Sequence, residues 1–273
     1  MESFCLLILI YYLCNVNIII ENNINFDHIM VLGDTHGSNM TIFPTLMAKF
    51  GFDKGNQKIA LLHVGDVGVG FTTDHGQMLE LQHLNERLKK GGITLFCIRG
   101  NHDNPEWFNN QEFKTDNGVD GLTNIVLIPD HTKLVLEVNG EIKTIYCNGG
   151  AYSVDRTLRT PGKSYWYDEH FKVPTTEELS KIGDGIDIVL THTRPIGVWP
   201  IDKTNIEYWL LKDMALDRDI EEEGFHMKRL IDSIKEDNPE CLHLYGHFHK
   251  SNVEYHNGWK HQCLDINELI EIR

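Results

Sequence analysis

Five short polar motifs follow apolar, strand-length runs in this chain, and they restrict its fold more than any other feature of the sequence. The motifs share an aspartate, asparagine or histidine beside a glycine or threonine, and they are Gly33-Asp34-Thr35-His36, Gly65-Asp66, Gly100-Asn101-His102-Asp103, Thr191-His192 and Gly246-His247-Phe248-His249. The carboxyl ends of strands in an open α/β sheet form a common crevice, where motifs distant in sequence can meet. The pattern therefore predicts a site assembled from strand ends.

Apolar runs alternate with helix-like segments in the first part of the chain. Strand-like runs cover 28–34, 58–66 and 93–101, a later one covers 187–192, and helical spacing marks 40–50 and 74–90. Such alternation is typical of βαβ units whose strands are buried on both faces. We therefore predict an α/β fold.

The second part of the chain has a different pattern. Strand-like stretches at 125–130, 133–150 and 241–266 contain turn signals at Asn139-Gly140 and Asn257-Gly258, which favour antiparallel strands. No repeat or low-complexity linker divides the sequence. We predict one α/β domain with two sheets over 27–273, preceded by an apolar extension over 1–26.

An apolar run lies within this extension. Fifteen of the seventeen residues at 4–20 are apolar, but Asn15 and Asn17 interrupt them, and the first Lys or Arg of the chain is Lys49. A membrane span needs about 20 apolar residues, and a signal peptide needs a positive flank. We expect an accessory strand or helix, or a poorly ordered extension, in a cytoplasmic protein. A membrane anchor or export signal at 4–20 is the alternative, and membrane association is expected only through this run.

Charge and cysteine content exclude some classes of function. The formal net charge is −15, which argues against an extended nucleic-acid-binding face, because binding to a phosphate backbone needs a basic surface. The six cysteines form no Cys-x-x-Cys motif, and Cys97 and Cys147 lie in apolar runs. We interpret these two as buried thiols in a reducing compartment.

The motifs together supply a mixed set of oxygen and nitrogen ligands. Its seven candidate metal-binding side chains are Asp34, His36, Asp66, Asn101, His192, His247 and His249. Such a set suits Mn, Fe or Zn better than Ca or Mg, which prefer oxygen alone. Seven ligands exceed what one ion with an open position needs, and they fit two divalent transition-metal ions that share a carboxylate. Such a centre stays cationic, attracts phosphate and can ionise a water molecule.

The ordered motifs GDTHG, GDVG, GNHD, TH and GHFH resemble those of the calcineurin-like metallophosphoesterase superfamily over 33–249, with features of its small bacterial and phage members. The resemblance implies a four-layer αββα sandwich with two mixed β-sheets. It also implies a metal-dependent phosphoesterase that hydrolyses a phosphomonoester or phosphodiester substrate. Among the metals that suit the ligand set, we favour manganese.

The resemblance further implies a role for each motif residue. One ion would be held by Asp34, His36 and His249, the other by Asn101, His192 and His247, with Asp66 bridging the two. His102 would be the acid that protonates the leaving oxygen.

The sequence departs from one branch of the superfamily at the second motif. Protein serine/threonine phosphatases have an Asp-Arg-Gly there, whose arginine binds the phosphate, whereas this chain has GDVGVG at 65–70. We expect Arg99 or Arg159 to bind the substrate instead, because the planar guanidinium fork matches a phosphate. For Arg156 we favour an ion pair or a solvated loop.

Two other functions are weighed against hydrolysis. A catalytically silent scaffold should show eroded ligands or a replaced His102, and this sequence shows neither. A DNA-end nuclease should have a basic loop that follows the nucleic-acid backbone, which the net charge of −15 disfavours. The aromatic-rich segments 151–177 and 193–224 follow motif positions, and loops over a rigid scaffold usually decide substrate choice.

Overall fold

The computed structural model describes residues 9–10, 18–38, 57–200, 206–256 and 258–272. Within these ranges the chain forms two β-sheets covered by helices. The helix predicted at 40–50 lies outside the described residues, as does most of the apolar run at 4–20. Among the described residues, no helix combines the length and apolar character that crossing a membrane requires.

One sheet has five strands and carries the first three motifs. Its members, in spatial order, are β13 (Leu269–Ile272), β3 (His28–Leu32), β4 (Ile59–His63), β5 (Ile93–Cys97) and β6 (Ile125–Leu127). Strands β3 to β6 are parallel, and β13 joins the edge of β3 in the antiparallel direction. The three central strands are buried along nearly their whole length, as continuous apolar runs predict.

The other sheet has eight strands. In spatial order they are β1 (Leu9–Ile10), β2 (Ile18–Phe26), β7 (Thr132–Val138), β8 (Glu141–Asn148), β9 (Ile188–Thr191), β10 (Leu242–Tyr245), β12 (Trp259–Cys263) and β11 (Asn252–His256). The hairpin predicted at Asn139-Gly140 joins β7 to β8 in antiparallel register. Strand β2 pairs in parallel with β7, and its Ile20 and Phe26 are buried in the core.

The directions predicted for two strands are wrong. Strand β6 is parallel to β5, and β10 is parallel to both β9 and β12. After β10 the chain passes through a loop, forms the outer strand β11 and returns as β12, which lies between β10 and β11. Of the pairs that involve β10, β11 and β12, only β11–β12 is antiparallel. A strand of three or four residues carries no signal for its direction, which the connecting loops decide.

Six described helices accompany the sheets: α1 (Asp74–Gly91), α2 (Glu106–Asn109), α3 (Gln111–Asp116), α4 (Thr176–Ser180), α5 (Glu207–Lys212) and α6 (Leu216–Asp237). Helix α1 matches the prediction at 74–90. It begins where the Thr73 side chain accepts a hydrogen bond from the Gly76 amide, and it ends at Gly92, whose φ is 70°.

The two sheets pack face to face between helical layers. Apolar residues of both sheets, among them Val31, Leu62 and Leu190, form one buried cluster. The outer face of the five-stranded sheet packs on α1, and the outer face of the eight-stranded sheet packs on α6. The four-layer αββα sandwich with two mixed sheets is therefore confirmed, and Cys97 and Cys147 are buried free thiols as predicted.

Strand β8 offers a test of the inter-sheet core. Ile145 is fully buried, whereas Ile142 on the same strand is 61% exposed. We expect Ile145→Ala to lower the free energy of unfolding by about 2–5 kcal/mol, because it leaves a cavity between the sheets. The matched change Ile142→Ala should cost less than about 0.5 kcal/mol. Urea unfolding measures both, and equal losses would contradict this placement of the core.

Candidate metal centre

The five motifs meet at one edge of the sandwich. Three follow β3, β4 and β5, and two follow β9 and β10, so all lie at the carboxyl ends of parallel strands. Four of the seven candidate ligands have a left-handed backbone: His36, Asp66, His247 and His249, with φ between 47° and 68°. Such strained conformations cluster at functional sites, and here they turn the side chains toward each other.

Two glycines allow this close approach. A Cβ atom at Gly100 would lie 2.0 Å from Asp66 Oδ1, and one at Gly246 would lie 2.1 Å from Asp34 Oδ1. Any side chain at either position would displace a buried carboxylate. The glycines before Asn101 and His247 are therefore required by the packing of the motif loops.

Four of the candidate ligands form one group. Ligand atoms of Asp34, His36, Asp66 and His249 all lie within 4.8 Å of one another. The His36 and His249 Nε2 atoms are 2.9 Å apart, and His249 Nε2 is 3.3 Å from Asp34 Oδ2. Both aspartates are buried and both histidines are partly exposed, so the group opens toward solvent on its histidine side.

The remaining three candidate ligands form a second group. Asn101 Oδ1 lies 3.0 Å from both His192 Nε2 and His247 Nδ1. The amide nitrogen of Asn101 donates to Ser153 Oγ, which turns the oxygen toward the histidines. His192 Nδ1 is 2.8 Å from the Val64 carbonyl, to which it donates a hydrogen bond, so Nε2 is the ring nitrogen that faces the Asn101 oxygen.

Asp66 belongs to the first group and also faces the second. Its Oδ2 atom is 3.8 Å from His36 Nδ1 in the first group and 3.5 Å from His192 Nε2 in the second. Its Oδ1 atom accepts a hydrogen bond from the His102 amide. Asp66 is thus the carboxylate that faces both groups.

Two buried oxygens indicate that these residues fit metal ions. Asp34 Oδ1 and Asp66 Oδ2 are buried without any hydrogen-bond partner. A buried carboxylate oxygen without a partner is costly, and a bound cation would satisfy it. Burial opposes the charge on Asp66, but the His192 imidazole outweighs it and holds the pKa of Asp66 well below its usual range. The carboxylate therefore stays ionised, the form that binds a cation.

Asp103 is a positioning residue that sequence reasoning missed. This fully buried carboxylate accepts hydrogen bonds from the backbone amides of Val67, Gly68, Val69 and Gly100. It thereby ties the loop of the second motif to that of the third. Burial and the nearby Asp66 raise the pKa of Asp103 to about 6, and the amides oppose that rise. The position of Asp103 directly after His102 in the third motif was a sequence feature that could have indicated this role.

Arg99, a predicted substrate ligand, does not face the centre. It is 1% exposed, and its guanidinium binds the Asp130 carboxylate and the carbonyls of Glu169 and His170. Its donors are therefore engaged in joining the third motif to neighbouring loops. Arg156 forms the predicted ion pairs, with Asp213 and Asp219.

His102 and Arg159 lie beside the candidate metal ligands. Arg159 Nη2 is 2.8 Å from His102 Nε2, and since arginine only donates, Nε2 is the acceptor in this arrangement. Burial and the Arg159 charge lower the pKa of His102 to about 4, against the opposing effect of Asp66. Asp155 holds the Arg159 Nε atom at 2.6 Å. With Nε2 bonded to Arg159, His102 lies next to the candidate ligands but is not one of them.

A cavity of about 610 Å³ opens over the centre. Its floor includes Asp66, Asn101 and His102, and its walls come from residues within 151–177, 193–200 and 206–224 together with Phe248 and Lys250. The aromatic residues Tyr152, Trp199 and Trp209 line these walls. The arrangement places a substrate-sized space against the clustered ligands.

Comparison with known proteins gives a family. The calcineurin-like phosphoesterase family model matches residues 28–251, which is most of the chain. No curated protein matches the sequence. The similar solved structures include a phosphopantetheinyl hydrolase from Mycobacterium tuberculosis, which is 14% identical, has a TM-score of 0.47 and is matched over 88% of this chain and 90% of that chain. They also include the sulfate thiohydrolase SoxB of Thermus thermophilus in complex with glycerol, at 12% identity and a TM-score of 0.42, over 86% of this chain and 38% of that chain.

The role of Asp103 can be tested by removing its charge. We expect Asp103→Asn to lower the free energy of unfolding by about 1–3 kcal/mol, because the amide replaces an acceptor with a donor opposite backbone N–H groups. Loosening the two motif loops should also weaken Mn²⁺ binding by roughly 10- to 100-fold. Urea unfolding and metal titration measure these losses. Asp116→Asn, on the exposed side of α3, is the matched control, and an Asp103 variant indistinguishable from it would refute the role.

Proposed function

The chain belongs to the calcineurin-like phosphoesterase family and is a phosphoester hydrolase, and from that premise we propose that it cleaves phosphomonoesters or phosphodiesters with two divalent metal ions. The observation that carries the proposal is the unpartnered Oδ2 atom of Asp66, buried between two groups of metal-binding side chains. One buried carboxylate that faces both groups is the arrangement a shared ligand requires.

In this proposal each group of side chains holds one ion. Asp34, His36 and His249 bind the first, Asn101, His192 and His247 bind the second, and Asp66 is shared. The ions supply a Lewis-acidic centre that attracts phosphate and activates water. Mixed oxygen and imidazole ligands favour Mn, Fe or Zn, and we take manganese as the metal for tests.

Arg159 and His102 complete the proposed chemistry. Arg159 lines the cavity with its planar fork, held at Nε by Asp155, and binds the substrate phosphate. Its present bond to His102 Nε2 uses a donor that the phosphate would take. The phosphate charge would then offset the Arg159 charge that helps to lower the pKa of His102, and Nε2 would be free to take a proton from solvent water. His102 then gives that proton to the departing oxygen and ends the step neutral.

The other two functions have less support. A silent scaffold need not keep all seven candidate ligands clustered, and the described residues bring them together. A nuclease that follows a DNA backbone needs a basic surface, whereas the net charge is −15. We therefore favour a hydrolase acting on a small or locally presented phosphoester.

We further propose that residues 27–273 supply all the catalytic and metal-binding side chains and that the protein is cytoplasmic. The buried free thiols of the described cysteines support a reducing compartment. Because β2 pairs along β7 and buries Phe26, activity should be measured in a chain that keeps residues 18–26. Fractionation of cells tests the location, and recovery of the full-length protein in the membrane pellet would overturn it.

Hydrolysis of two nitrophenyl esters tests the function directly. Nitrophenyl phosphate reports phosphomonoesterase activity and bis-nitrophenyl phosphate reports phosphodiesterase activity, each with Mn²⁺ and with a chelator. We expect turnover of at least one ester that the chelator abolishes. Failure to turn over either ester with Mn, Fe or Zn would favour the scaffold.

Metal content tests the sharing of Asp66. We expect purified protein saturated with Mn²⁺ to hold close to two ions per chain, because seven ligands exceed what one ion accepts. Asp66→Asn removes a negative charge that both ions share, so it should reduce both metal content and activity. Elemental analysis checks the count. At most one ion in the unaltered protein, or normal metal content in Asp66→Asn, would contradict the dinuclear site.

The proton-donating role of His102 predicts a dependence on the leaving group. His102→Ala should keep both metals but lose about 10²–10⁴-fold in kcat on alkyl phosphoesters, whose leaving oxygen needs a proton. The loss should be smaller for nitrophenyl esters, which leave without one. His75→Ala on the exposed face of α1 is the control and should keep full activity. Equal losses on both ester types, with reduced metal content, would instead indicate a structural histidine.

A further inference from the structure

The cavity over the metal centre contains a second arginine that the proposed chemistry does not use. Arg194 lies two residues after His192 and lines the cavity wall. Its guanidinium carbon is 6.0 Å from the centre of the Phe248 ring, and the His247 imidazole is 4.9 Å from the centre of that ring. Arg194 and a candidate metal ligand therefore flank the same aromatic side chain.

The bonding of Arg194 differs from that of the other arginines described above. Its Nε atom is buried without a hydrogen-bond partner, and its Nη1 atom makes only a long 3.3 Å bond to the Pro195 carbonyl. Arg99, Arg156 and Arg159, by contrast, each pair with at least one aspartate. Within the described part of the chain, Arg194 makes no ion pair.

Glu223 and Glu254, the two carboxylates whose charge acts on Arg194, are already engaged. The Glu223 carboxylate accepts hydrogen bonds from the amides of Tyr152 and Phe171, and Glu254 accepts one from the Trp199 amide. Neither carboxylate lies within ion-pair distance of Arg194. A half-buried guanidinium with a buried, unused donor is costly, and an anion bound in the cavity would remove that cost.

We propose that Arg194 binds a second oxyanion of the substrate, so that the preferred substrates are small phosphoesters that carry a further phosphate or carboxylate group. This inference rests on the proposed function, in which the scissile phosphate lies at the metal centre beside Arg159. The second oxyanion lies at the Arg194 side of Phe248. The exposed Lys250, which lines the same cavity, adds positive charge there.

A matched series of substrates tests the preference. Alkyl monophosphates of two to six carbons are compared with α,ω-bisphosphates and ω-carboxyalkyl phosphates of the same length, in the Mn²⁺-loaded enzyme. We expect kcat/KM to be roughly 10- to 100-fold higher for a second anion at one optimal length, the gain typical of a charge-assisted hydrogen bond. Comparison of the two anionic series distinguishes phosphate from carboxylate. No gain at any length would overturn the proposal.

Variants assign the preference to Arg194. In Arg194→Gln the ratio of kcat/KM between the doubly anionic and singly anionic substrates should fall to near one, and Arg194→Lys should retain part of it. Lys250→Gln is the comparison for a general charge effect. A preference that survives in Arg194→Gln and disappears in Lys250→Gln would assign the second anion to Lys250 and refute the role of Arg194.

A binding measurement without turnover separates this inference from the proposed function. In metal-free, ¹⁵N-labelled protein the buried Nε–H of Arg194 is titrated with methylphosphonate and acetate. We expect a saturable shift of that resonance, while the Arg99 Nε–H, already bonded to Asp130, stays unmoved. Saturation without any hydrolase activity would uphold the anion site and reject the proposed function. Hydrolysis of phosphoesters, with no shift of the Arg194 resonance and no optimal substrate length, would uphold the proposed function and reject the anion site.

Discussion

Two carboxylate oxygens without protein partners impose the strongest constraint on this molecule. Asp34 Oδ1 and Asp66 Oδ2 are buried without a hydrogen-bond partner among the described residues. Histidines from both sheets gather around these carboxylates, and four candidate ligands have strained backbones to do so. The inter-sheet core supplies the stability that offsets this strain, because it fixes the strand ends from which the motif loops emerge.

A second buried charge network holds those loops. Asp103 binds backbone amides of the second and third motifs, and Arg99 joins the third motif to Asp130 and to the loop that contains Glu169. Breaking a buried charged pair is far more costly than omitting it, so these residues fix the loop geometry once folded. The positions of the candidate metal ligands consequently depend on neighbouring residues that are not candidate ligands themselves.

The sequence predicted the elements that a pattern of apolar residues defines and the side chains that lie where the strands end. Regular apolar runs predicted the central strands and α1, and the motifs that end those runs predicted which side chains meet. The directions of β6 and β10 were wrong because very short strands carry no directional signal. The anchoring by Asp103 and the burial of Arg99 depend on which loops pack together, and the spacing of residues in one chain does not encode that contact.

The arginines show why the partners of a charged residue indicate its role better than its distance from a motif. Arg99 directly precedes the third motif, yet its donors are satisfied by a carboxylate and two carbonyls, which leaves nothing for a substrate. Arg159 lies far from any motif in sequence, but its Nη2 donor rests on a histidine that a phosphate can replace. Arg194 retains a buried donor with no acceptor at all. An unpaired buried donor raises the free energy of the folded protein. A bound anion that accepts a hydrogen bond from the Arg194 Nε–H would remove that cost, and this best explains why the donor is unpaired in the cavity wall.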